Sequence, residues 1–96
     1  MRRKNEQPIG EVLKDMFKQY GLERKYQQAE IGYVWNSLLG PSVANVTSRV
    51  VLKNGLLTVF LDSTLVKHEL SMMRSRLIAA LNEAMGEDLV QEIKLV

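Results

Sequence analysis

Apolar positions along the 96 residues change their period several times, and each change marks an element. Residues 1–7 are polar and patternless. Pro8 suits the first helical position, where its missing N–H has no partner to lose. From there Ile9, Val12, Leu13, Met16, Phe17 and Tyr20 recur at helical spacing on one stripe, until Gly21 offers a stop. The next helix, about Leu22 to Leu39, is apolar on two sides. Leu22, Tyr26, Ala29 and Tyr33 share one face; Ile31, Val34, Trp35, Leu38 and Leu39 share the other. Such a helix is expected to be covered twice, by the upstream helix on the Leu22 face and by the sheet or the third helix on the Trp35 face. The competing arrangement leaves one face for a partner. Gly32 marks either a kink or a close approach, and Gly40-Pro41 ends the helix.

After a linker over 41–46 the period falls to two. Ser48 to Lys53 reads as a strand with Val50 and Leu52 on one face and Arg49, Val51 and Lys53 on the other. Asn54-Gly55 predicts a two-residue hairpin turn, because both positions tolerate positive φ. In the return strand, Leu56 to Asp62, both faces are largely apolar, which predicts either a central strand or an outer face that is partly covered. Ser63 or Thr64 caps one long helix whose stripe is Val66, Leu70, Met73, Leu77, Ala80, Leu81 and Ala84, with Gly86 as its stop. A last strand runs from Leu89 or Val90 to Val96. The chain therefore reads α-α-β-β-α-β. This is an α+β fold with a three-stranded sheet covered by helices, forming one domain over 8–96 behind a flexible basic arm over 1–7.

Charge adds an asymmetry. The net charge is only +2, but residues 1–25 carry seven basic against four acidic side chains, while residues 82–96 carry Lys94 against Glu83, Glu87, Asp88 and Glu92. A basic arm suits either nucleic acid or a solvated tail. Cysteine is absent. That excludes disulfides, thiolate metal sites and a cysteine nucleophile, and fits a reducing cytoplasm. No apolar run approaches the roughly 20 residues needed to span a bilayer, and no h-region follows the basic start, so neither a membrane association nor a secretory signal is expected.

Candidate chemistry is sparse. His68 beside Glu69 is the one pairing that resembles a general base, and its ordinary reading is a surface histidine. No catalytic residue, metal ligand or cofactor is assigned. Trp35 reads as a core anchor before a stacking platform. Met72, Met73 and Met85 read as core and boundary filler before an adaptable binding surface. The basic residues offer more. Arg2, Arg3 and Lys4 lie in the arm; Lys14, Lys18 and Lys25 lie near the first helical hairpin; Arg49 and Lys53 point together from the first strand; Lys67 and Arg74 follow on the third helix. These ten are the candidate nucleic-acid contacts, set against a scattered solvated surface.

The ordered set Trp35, Gly40, Thr47, Asn54-Gly55-x-Leu57-x-Val59, Ser63, Glu69-Leu70, Leu77, Leu81-Asn82, Gly86 and Ile93 resembles the DciA family, formerly a domain of unknown function. The short upstream helix is similar to the compact members of Bacteroidetes type. The resemblance implies a KH-like fold and a non-enzymatic adaptor that meets the bacterial replicative helicase and single-stranded or forked DNA during helicase loading. It implies that Trp35, Leu57, Val59, Leu70, Leu77 and Leu81 are core, and that Gly40 and Gly55 are backbone requirements. Longer members carry a basic extension or a zinc ribbon, and this chain has neither. It also lacks the GxxG loop of KH modules. Where many relatives place a Trp near the start of the third helix, this chain has Leu65-Val66. The alternative function is a protein-interaction or homodimerisation module without nucleic-acid binding, and the residues leave strand order and oligomeric state open.

Overall fold

The computed structural model describes residues 23–96, together with Val12, Asp15, Met16 and Gly21 ahead of them, and for Glu23 and Arg24 the backbone alone. The expected basic arm and most of the expected upstream helix lie outside the described residues. Of that helix, Val12 and Met16 are described, and both are exposed.

The elements are α1 (Glu23–Leu39), α2 (Pro41–Ala44), β1 (Thr47–Lys53), β2 (Leu56–Leu61), α3 (Thr64–Ser71), α4 (Arg74–Met85) and β3 (Glu92–Leu95). The sheet order is β1-β2-β3, with β1 antiparallel and β3 parallel to β2. The two-faced apolar strand is thus the central one. Its inward residues Leu57, Val59 and Leu61 are buried, while Leu56, Thr58 and Phe60 on the other face are half-buried. The turn has Asn54 at φ 52° and Gly55 at φ 83°, both left-handed, as a type I′ hairpin requires.

The core joins all layers. Ile31 and Trp35 of α1 pack with Leu52, Leu57, Val59 and Leu61 of the sheet, with Leu70, Leu77, Leu81 and Met85 of α3 and α4, and with Val90 and Ile93. Trp35, Leu57, Val59, Leu70, Leu77 and Leu81, the six residues that the resemblance placed in the core, are buried there, and no polar or charged residue among those described is. Trp35 also anchors the entry to β1. Its Nε1 donates to Thr47 Oγ1 at 3.1 Å, and that hydroxyl donates to the Val43 carbonyl at 2.7 Å. A buried indole N–H needs such a partner.

Four expectations are corrected. First, the long third helix is two helices. Met72 and Met73 close α3 with i→i−3 bonds to Glu69 and Leu70, and Met73 leaves the helical region at φ −133°. The break re-aims the stripe, so that Met85 is buried while Ala84 is exposed. No glycine or proline announces it. Second, the 41–46 linker begins with a turn of helix, started by Pro41 at its first position. Third, Leu38 and Tyr33 are exposed, so neither apolar face of α1 is covered along its whole length among the described residues. Fourth, α1 is continuous through Gly32, and a Cβ built there would meet nothing within 4 Å. The glycine therefore marks open space and not a close approach.

Candidate nucleic-acid interface

Alternation along the strands sorts the charged side chains onto the outer face of the sheet. The register sets Arg49 opposite Phe60, Val51 opposite Thr58 and Lys53 opposite Leu56. It continues with Thr58 beside Lys94 and Leu56 beside Glu92. Arg49, Lys53 and Lys94 therefore share one face, with Glu92 as the acidic residue of the same strands. The Arg49 guanidinium lies 5.9 Å from the centroid of the Phe60 ring, a cation–π distance that holds it over the sheet. Lys94 was not among the sequence candidates. The signal was its alternation with buried Ile93, but a parallel pairing with β2 was needed to bring it beside Thr58.

The free edge of β1 is treated unevenly. Gln28 of α1 closes it at Leu52: its Oε1 accepts the Leu52 N–H at 2.9 Å and its Nε2 donates to the Leu52 carbonyl. A carboxamide copies the donor–acceptor pair of a neighbouring strand, which is why it can blunt an edge. Two open grooves flank this contact. One, of about 360 Å³, is lined by Gln27, Gln28, Leu52, Lys53, Asn54, Gly55 and Leu89. The other, of about 310 Å³, is lined by Gln28, Ala29, Gly32, Tyr33 and Asn36 of α1 and by Thr47, Ser48, Arg49 and Val50 of β1. The two linings contain amides, hydroxyls, one tyrosine and two cations, and no carboxylate. In a chain with 11 acidic residues, that composition suits an anionic, hydrogen-bonding ligand. Sequence reasoning passed over Gln28, Tyr33 and Asn36, because nothing in a helical pattern shows which polar residue meets a strand edge.

The other candidates are dispersed. Lys25 is exposed on α1, on the helical stripe that continues through Ala29 and Gly32. Lys67 and Arg74 belong to the helical layer, and the break puts them on separate helices. Arg74 Nη1 reaches the Ser71 carbonyl at 3.5 Å. Arg2, Arg3, Lys4, Lys14 and Lys18 lie outside the described residues. His68 and Glu69 are both exposed on α3, and adjacent helical residues do not face each other. Among the described residues no group of three or more His, Asp or Glu is placed to hold a metal. No helix among them is long and apolar enough to cross a membrane.

A family model described as "Dna[CI] antecedent, DciA" matches residues 8–95. A UPF0232 protein of Mycobacterium leprae (strain TN) is 30% identical over 89 residues, covering 93% of this chain and 47% of the relative. The UPF0232 protein of Mycobacterium tuberculosis (strain H37Rv) is 26% identical over 89 residues, covering 93% and 48%. That of Mycobacterium marinum is 27% identical with the same coverage. The chain spans about half the length of the curated relatives it matches. With the family model matched from Pro8 to Leu95, almost end to end, the chain belongs to the DciA family.

Proposed function

We propose that the protein is a non-enzymatic adaptor of DNA replication that engages the replicative helicase, assists its loading, and holds single-stranded DNA along the edge of β1. Family membership supports the helicase half. The observation that carries the DNA half is the carboxylate-free, cation-bearing lining of the two grooves beside β1. The element order, with a short turn between α3 and α4, supports a KH-like reading. That turn runs Ser71-Met72-Met73-Arg74 and holds no glycine, so the GxxG clamp has no counterpart. The DNA path is therefore assigned to β1.

The test is anisotropy of a fluorescent oligothymidylate at low and moderate salt, with sedimentation against the purified replicative helicase in parallel. Binding that weakens with salt is expected, with a log–log slope of about −0.7 per phosphate neutralised. Undetectable binding at low salt removes the DNA half, and failure to co-sediment with the helicase removes the other. A second reading, a protein-interaction or self-association module, is favoured by Leu65 and Met72, which are 67% and 69% exposed on α3 and its C-cap. A concentration-dependent dimer, dissociated by Leu65→Ser with Met72→Ser, would select it.

A further inference from the structure

One pair of backbone groups on the β1 edge is left open. Leu52 turns its N–H and C=O away from β2, since both meet Gln28. Residues of an antiparallel ladder alternate in this respect, so Val50 turns its pair outward too. Among the described residues nothing takes it. Val50 lines the groove of about 310 Å³ whose opposite wall is α1 at Gly32. A Cβ at Gly32 would stand in open space. The helix wall of the groove therefore carries no side chain at this position.

We propose that this groove, between Gly32 and the Val50 edge, is a pocket for one unstacked base of a single-stranded nucleic acid; the inference rests on the DNA half of the function proposed above. An extended peptide fits less well. Strand addition needs a run of open edge positions, and here Gln28 blocks the next one while a β-bulge between Thr47 and Arg49 breaks the register on the other side. A single residue's N–H and C=O instead match a base, which presents a donor beside an acceptor on its Watson–Crick edge. The surroundings supply the rest. Tyr33, 73% exposed, offers a π-face at the groove wall. Asn36 offers a side-chain amide with no partner among the described residues. Arg49 and Lys53 place positive charge where the flanking phosphates pass. The volume is at the lower end of the roughly 300–1,000 Å³ of small-ligand sites, enough for one base and too small for a duplex.

Gly32→Leu fills the groove from the helix side, and it replaces a glycine in a helix interior with a strong helix former, so the fold is expected to be at least as stable. The measurement is oligothymidylate affinity of the full chain, with thermal unfolding as the control. The expected result is at least about a tenfold loss of affinity at an unchanged or raised melting temperature, a loss of about 1.4 kcal/mol. Val50→Pro provides an independent variant: it removes the outward N–H at an edge position where proline is tolerated, and it is expected to weaken binding several-fold. If the parent binds and both variants bind as it does, the pocket is wrong and the DNA reading stands. If the parent binds no oligonucleotide, that reading falls and the pocket with it. If Gly32→Leu keeps its DNA affinity but loses the helicase complex, the groove belongs to a protein partner and the proposal is overturned.

Discussion

Asn82 holds Val90 by both ends of its carboxamide. Its Oδ1 accepts the Val90 N–H at 2.8 Å, and the Leu89 N–H at 3.0 Å, while its Nδ2 donates to the Val90 carbonyl at 2.9 Å. Val90 is itself 2% exposed in the core. A residue of the last turns of α4 thus fixes where the chain re-enters the sheet, and hence the parallel register of β3.

Removing these bonds strands buried backbone groups, which costs about 1–3 kcal/mol. Asn82→Ala is expected to lower the unfolding free energy by that amount, read as a lower urea midpoint with little change in slope. Asn82→Asp is expected to be worse than its size suggests, because the donor to the Val90 carbonyl is lost and an anion faces it. Chemical denaturation of the three proteins checks both.

Gln28 and Leu52, 24 residues apart, are coupled in the same manner at the other edge of the sheet. Gln28→Ala is expected to cost about 1 kcal/mol and to raise hydrogen exchange at the Leu52 amide, leaving the Val51 amide, which faces β2, protected. Amide-resolved exchange reads both sites at once.

Trp35 is the single tryptophan and is fully buried. Its emission is expected to be blue-shifted in the native protein and to move red on unfolding. Trp35→Ala is expected to cost about 3–5 kcal/mol. Trp35→Phe should cost less, since most of the apolar contact remains and the Thr47 hydroxyl loses only a donor. Equilibrium unfolding, followed by circular dichroism, ranks the two.

Gly55 sits at φ 83°, and a Cβ there would lie 3.1 Å from the Gln91 side chain. Gly55→Ala is therefore strained in backbone and crowded at once, with an expected loss above about 1 kcal/mol. The Gly55 carbonyl also accepts the Gln91 N–H at 2.8 Å, so chemical shifts at the start of β3 should move with the turn.

Charge reversal tests the outer face. Arg49→Glu and Lys53→Glu are each expected to weaken oligonucleotide binding and to flatten its salt slope by about 0.7. Lys67→Glu, in the helical layer, is expected to do neither. Equal effects from all three would mean a diffuse surface and no path along β1.

What the sequence determined by itself was local. The Asn54-Gly55 turn, the Ser63 cap, whose oxygen accepts the Val66 N–H at 3.2 Å, and the stop at Gly86 each follow from the conformational preference of one or two residues. The apolar periods of Leu57 and Val59 and of Leu77 and Leu81 named the core, because burial selects one face whatever covers it. Membership of the family was legible from the same ordered positions. Tertiary structure decided what depends on registration between distant segments. It broke the third helix at Met72-Met73, where no local signal stands, and so placed Met85 and not Ala84 in the core beside Leu77 and Leu81. It turned Gln28 from a polar helix residue into a strand cap, set Lys94 on the face of Arg49 and Lys53, and left Gly32 opposite the open edge of Val50. A helix period says which residues share a face. Only packing says which atoms that face will meet.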